Sequence, residues 1–207
     1  MGRPSAAEAA GRARLERVRA DQHRANRRRV ITVAAGTVVL IALVVAGFAT
    51  LDLGGRPPSS QPPPGVQVFP VPSADHVAGL VRYPQTPPVG GPHAQVWQNC
   101  GAYPTPVANE NAVHSLEHGA VWVTYQPSLS AAAVAELRDL ASQHPRMLLS
   151  PFPGLPAPVV ASAWGAQLRL SDVKDPRLAK FVAVYELGRQ APEPGGECTG
   201  GIGTPLR

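Results

Sequence analysis

His114-Ser115-Leu116-Glu117-His118-Gly119-Ala120-Val121-Trp122-Val123-Thr124-Tyr125 is the stretch in which the chain changes its period. From Ala120 to Tyr125, Val121, Val123 and Tyr125 alternate with Trp122 and Thr124, the period-two pattern of a strand. Just before it, His114 and His118 are four residues apart, and their chemistry depends on which side of the change they fall. On a helix the two imidazoles share a face at about 6 Å, and one ion can join them. On a strand they would stand about 13 Å apart, out of reach of a single ion. Gly119 can take the left-handed position that ends a helix running from about Asn109. A strand beginning before Val121 would remove that geometry.

Downstream, local signals repeat. Ser130 is placed to cap a helix reaching about Gln143, with Val134, Leu137, Leu140 and Ala141 on one face. Met147 to Ser150 and Val159 to Ala163 read as short buried strands, separated by the turn Pro151-Phe152-Pro153-Gly154. A further strand is expected over Gln167 to Leu170. Asp175 followed by Pro176 predicts an N-cap and a proline in the first helical position, and Leu178, Phe181, Val182 and Tyr185 then share a side until Gly188. The order is β-α-β-β-β-α, which predicts a small α+β domain over residues 75–201, with 202–207 as a tail. Upstream of Gly119 the chain is rich in Pro and Gly and shows no regular period.

The other end of the chain sets an address. Residues 30–51, from Val30 to Leu51, carry no charge over twenty-two positions, enough to cross a bilayer as a helix. Nine arginines and three acids give residues 1–29 a net +6, and Arg27-Arg28-Arg29 abut the apolar run. The positive-inside bias then predicts a single-pass protein of the cell membrane, with a basic cytoplasmic tail over 1–29 and everything after Leu51 extracytoplasmic. A cleaved signal peptide ending near Gly47-Phe48-Ala49 is the rival reading, but the run is longer than the usual apolar region of such peptides. Residues 52–74 follow as a linker, in which seven prolines between Leu53 and Pro72 favour an extended polyproline stalk.

Charge excludes one class of function. The whole chain of 207 residues is +5, so residues 30–207 sum to −1 once the +6 tail is removed. A nucleic-acid partner would need a basic face on the folded part, and none is expected. The basic tail suits anionic lipid headgroups, making the bilayer the expected partner. Ala42 and Ala46 form a small-xxx-small step in the apolar run, which leaves the oligomeric state undetermined.

Two cysteines, Cys100 and Cys198, fall outside the membrane, where oxidation is permitted, and a disulfide between them is expected. It would close a loop of about 97 residues, for which chain entropy gives on the order of 4–5 kcal/mol. A redox couple is the alternative, but catalytic dithiols commonly use the C-x-x-C spacing, which this pair lacks.

The residues with chemistry to offer are histidines. His23 belongs to the tail, and His144, before Pro145, is expected to help satisfy the last carbonyls of its helix. The other four, His76, His93, His114 and His118, lie within forty-three positions. Such a cluster points to a transition metal, copper or zinc, since imidazole suits both. His93, His114 and His118 are the expected ligands, with His76 or Glu117 completing or orienting the site. Met147, between Arg146 and Leu148, is expected in the core rather than at the metal. A purely structural role is the alternative: a histidine in the last turn of a helix interacts favourably with its dipole and needs no ligand. On that reading the domain is a non-catalytic module that recognises an envelope protein or polymer.

His114 to His118 also fits the H-x-x-E-H pattern of inverted zinc peptidases, where the glutamate activates water. Those enzymes take a third ligand from a second helical segment, and no such segment is evident here. Glu117 could equally pair with an arginine or cap a backbone group. No G-x-S-x-G, phosphate loop or dinucleotide fingerprint is present, and enzymatic activity is left open.

Tyr83, Pro87-Pro88-Val89-Gly90-Gly91-Pro92-His93, Tyr103, Val113 to Val121 and Ala163-Trp164-Gly165 together resemble a bacterial family of membrane-anchored proteins with a domain of unknown function. Its Gly-Pro-His and His-x-Leu-Glu-His-Gly motifs carry the resemblance, which covers about His76 to Gly201. The resemblance implies a short cytoplasmic tail, one crossing, a linker and a compact outer domain, with no established activity. It also implies that the four upstream histidines occupy the family's motif positions, whereas the cysteine pair belongs to a subgroup.

Overall fold

The computed structural model of the chain describes residues 61–206. The expected basic tail, the apolar run over 30–51 and the start of the linker lie outside the described residues. Among the described residues no helix is long and apolar enough to cross a membrane.

The described part has a mixed sheet and three helices, an α+β architecture. In chain order the elements are β1 (Gln67–Val68), β2 (Gly101–Ala102), α1 (Asn109–Glu117), β3 (Val121–Tyr125), α2 (Ala131–Gln143), β4 (Met147–Pro151), β5 (Val159–Ala163), β6 (Ala166–Leu170) and α3 (Pro176–Tyr185). The sheet order is β1-β6-β5-β3-β4-β2. β4 runs parallel to both β3 and β2, and the remaining pairs are antiparallel. A parallel β3–β4 pair needs a crossover, which α2 provides. Ser130 caps α2 by accepting from the Ala133 amide at 3.2 Å, and Asp175 caps α3 by accepting from the Arg177 amide at 2.9 Å.

Every residue of β3, β4 and β5 is buried, because both faces of the sheet are covered. Val121, Val123 and Tyr125 pack with Leu137 of α2 and with Leu178, Phe181 and Val182 of α3. Trp122 and Leu148 point to the other side, into a second core with Ala112, Val113 and Leu116 of α1 and with Trp164. The Trp122 indole donates to Ser150 Oγ at 3.0 Å, so its one polar group is satisfied. Met147 is fully buried in the first core, as expected.

Two boundaries differ from the sequence reading. The linker expected over 52–74 is part of the folded unit toward its end: β1 pairs with β6, and the Phe69 amide donates to the Gly165 carbonyl at 2.8 Å. Val66 and Val71 are drawn onto the two cores, and Pro64 and Pro70 flank the two paired residues of β1 without entering the ladder. The tail expected over 202–207 is likewise paired through residue 206. Ile202 bridges Gln98 and Leu206 bridges Ala102, covering the β2 edge.

Candidate metal centre

Helix α1 is almost wholly buried, and its two sides do different work. Ala112, Val113 and Leu116 face the sheet. His114, Glu117 and the following His118 recur at the three- and four-residue spacing that shares the other face. Gly119 ends the helix at φ +87°, its amide donating to the Leu116 carbonyl at 3.0 Å. The helical alternative for His114 and His118 is therefore the one adopted, and their Nε2 atoms stand 3.0 Å apart.

His93 arrives from the loop Gly90-Gly91-Pro92, whose glycines have φ of +146° and +118°. A Cβ on Gly90 would lie 2.9 Å from a Val71 methyl, so the tight approach requires glycine. The His93 amide donates to the Asp75 carbonyl at 3.0 Å, and the Val77 amide donates to the His93 carbonyl at 2.8 Å. This short parallel bridge sets His76 beside His93. Ring centroids of His76 lie 4.9 Å from His93 and 4.8 Å from His114, the latter pair stacked.

The third wall is the chain's end. Cys100 and Cys198 form a disulfide, with Cα atoms 5.3 Å apart. It holds a segment whose carbonyls face the cluster: Glu197 O accepts from His118 Nδ1 at 2.6 Å, and Thr199 O accepts from the Trp97 indole at 3.1 Å. The Trp97 ring lies 5.6 Å from His114 and 5.2 Å from His118. Arg146 pins this segment through the carbonyls of His118, Gly195 and Gly196.

Hydrogen bonding decides the tautomers. His93 Nδ1 faces the Gly91 carbonyl at 2.8 Å, His114 Nδ1 the Ala94 carbonyl at 2.7 Å, and His118 Nδ1 the Glu197 carbonyl at 2.6 Å. A carbonyl only accepts, so each of these rings carries a proton on Nδ1, and in the neutral ring Nε2 is then the free ligand nitrogen. Glu117 Oε2, another acceptor, lies 3.0 Å from His93 Nε2, 3.8 Å from His76 Nε2 and 4.0 Å from His114 Nε2. Burial pushes the His114 pKa down to about 4; the Ala94 carbonyl opposes this, and the neighbouring imidazoles of His118, His93 and His76 add to it. At neutral pH His114 therefore holds only its Nδ1 proton, and its Nε2 is free to bind an ion.

This histidine and glutamate cluster could hold a metal ion. His76, His93, His114 and Glu117 each place one ligand atom within 4.8 Å of all the others; all but His76 are buried. Glu117, His118 and Glu193 form a second such group. The expected grouping of His93, His114 and His118 is thus divided: His118 meets the His114 ring nearly edge-on, at 84°, and falls into the second group. Carbonyls fixing Nδ1 while Nε2 faces inward match the way metal-ligating histidines are commonly oriented.

Residues 76–200 match the model of a family described as "Protein of unknown function (DUF3105)". The chain belongs to this family. The DUF3105 match begins at His76 and runs past Cys198, so it contains every residue of the cluster. No curated protein and no solved structure matches the chain.

Some members of the DUF3105 site have no signal in the sequence. Trp97, Arg146 and Glu193 reach it through pairings between distant segments. Gly196 packs against His118 so closely that a Cβ would lie 2.6 Å from the ring, a demand that the glycine run alone does not reveal. His144 departs from its expected role: its Nδ1 meets Glu186 Oε2 at 2.8 Å, and only its amide bonds a helix carbonyl, that of Ala141. Glu117 pairs with imidazoles rather than with an arginine or a backbone cap.

Proposed function

We propose that this chain is a transition-metal-binding protein that displays its site outside the cytoplasm from a single membrane anchor over residues 30–51. The metal is copper or zinc, and His76, His93, His114 and Glu117 hold it. One observation carries the reading. Three buried imidazoles spend their Nδ1 protons on main-chain carbonyls and turn Nε2 toward one another and toward a carboxylate. A bound cation satisfies the inward-facing nitrogens and the buried carboxylate together. Two or three neutral imidazoles with one carboxylate also match the borderline ligand preference of zinc and copper(II).

The anchor is supported by the charge-free run and the arginines before it, and the oxidising side by the disulfide. Lipid is then the partner of the amino-terminal part. A non-catalytic envelope-interaction module with structural histidines would leave the convergence of three imidazoles on one buried carboxylate without a purpose.

The test is a titration. The untagged chain, stripped with a chelator, should take up Cu(II) or Zn(II) tightly, and His93→Ala and His114→Ala should each abolish uptake. Binding no tighter than about 10 μM, near −7 kcal/mol, would refute the proposal.

A further inference from the structure

We infer that the centre takes two metal ions, with Glu117 common to both. The inference rests on the metal-binding reading and adds a position that the first four ligands do not account for. A zinc or copper ion binds its nitrogen ligands at about 2.0–2.1 Å, so ligand atoms on one ion stand no more than about 4.2 Å apart. His76, His93, His114 and Glu117 form one group of four donors that could hold an ion, with Glu117 Oε2 at 3.8, 3.0 and 4.0 Å from the Nε2 atoms of His76, His93 and His114. His118 is not one of these four. Its Nδ1 is nevertheless fixed on the Glu197 carbonyl, which leaves a buried Nε2 beside His114 Nε2, at 3.0 Å, as its remaining ligand atom.

The second donor group answers that nitrogen. Glu193 Oε2 lies 3.8 Å from His118 Nε2, and the Glu193 amide donates to the Glu117 carbonyl at 3.0 Å, so the two glutamates are tied together through the main chain. Carboxylates commonly join pairs of ions about 3.5–4 Å apart. The two positions differ in exposure. The first is enclosed by His93, His114 and Glu117, all at most 5% exposed in their side chains, whereas the Glu193 side chain is 66% exposed. The first ion is the retained one. The second, with fewer protein donors, is completed by water and exchanges with solution.

Equilibrium dialysis of the full chain against zinc chloride, read by elemental analysis, tests this. The wild type should bind two equivalents, the second at least tenfold more weakly. Glu193→Gln, on an exposed side chain, should weaken only that second equivalent by tenfold or more, and His118→Ala should leave one. A wild type that binds a single equivalent overturns the two-ion inference and leaves metal binding standing; loss of all zinc in His118→Ala does the same, since His118 would then serve the first ion. No zinc in the wild type overturns the two-ion inference, and no Cu(II) in the same dialysis overturns the metal-binding reading as well.

Discussion

His114 Nε2 and His118 Nε2 face each other at 3.0 Å while both Nδ1 atoms are engaged with carbonyls, those of Ala94 and Glu197. The pair is built from opposite directions. One turn of α1 sets the spacing of the rings, and the disulfide-bound end of the chain sets the tautomer of the second. The geometry is local, but its chemical state depends on residues about eighty positions away, because the Glu197 carbonyl decides which nitrogen of His118 carries the proton.

Acid should destabilise the metal-free protein in a defined window. His114 has a folded pKa of about 4 against 6.5 for an ordinary histidine, with burial the main cause. Between those values the unfolded chain binds more protons than the folded one, so stability is fully present above about pH 6.5 and falls as the pH is lowered toward 4. Thermal unfolding of chelator-stripped protein from pH 7.5 to 4.5 should show a declining Tm. His114→Gln should flatten part of that decline, and a level wild-type profile would contradict the assignment.

Gly196→Ala should damage the site more than the fold. The added Cβ would lie 2.6 Å from both Cγ and Cδ2 of His118, and Arg146 holds the Gly196 carbonyl, so the imidazole has to turn. Overpacking of this kind costs about 1–3 kcal/mol. The affinity of the second, weaker equivalent, for which His118 is a ligand, should drop about tenfold or more, measured by equilibrium dialysis against zinc chloride. Unchanged affinity would mean that the His118 ring does not need its present orientation.

Elements whose causes are local were legible in the sequence. Ser130 and the Asp175-Pro176 pair mark the starts of α2 and α3, and alternation at Val121, Val123 and Tyr125 marks β3. β1 and β2 are two residues each and exist only because Gln67 meets Gln167 and Gly101 meets Leu148, so no periodicity announces them. The candidate site divides in the same way. The four-residue spacing of His114 and His118 was visible, but not the choice of helix over strand, which the packing of Ala112, Val113 and Leu116 on Trp122 and Leu148 decides. His76 reaches His93 by a main-chain bridge and Glu193 reaches Glu117 by another, and neither contact has a motif.

Removing the disulfide should weaken both the fold and the centre. Cys100 and Cys198 are separated by 98 positions, and loss of a native bridge typically costs about 2–5 kcal/mol. Cys198 also follows Glu197, whose carbonyl orients His118, and precedes Thr199, whose carbonyl holds Trp97. Cys198→Ser, or reduction by a dithiol, should lower the denaturation midpoint and reduce the affinity of the second equivalent about 10- to 100-fold, the usual cost of losing a partner that orients a ligand. Equal affinity in oxidised and reduced protein would show that the terminal segment holds its place without the bond.

Glu117→Gln should separate stability from binding, with opposite signs. With His93 neutral, the carboxylate in the stripped protein is a buried acceptor 3.0 Å from the Nε2 lone pair, a costly arrangement without a cation. An amide of the same shape can donate from its nitrogen to that lone pair, since His93 Nδ1 already donates to Gly91. The stripped variant should therefore unfold at the same Tm as the stripped wild type or a few degrees higher. Its metal affinity should fall by at least about tenfold, or 1.4 kcal/mol, because the only negative charge in the first ligand group has gone. Added zinc should then raise the Tm of the wild type much more than that of the variant. A variant that is destabilised when stripped yet still binds the metal as tightly as wild type would assign Glu117 to the fold and remove it from the centre.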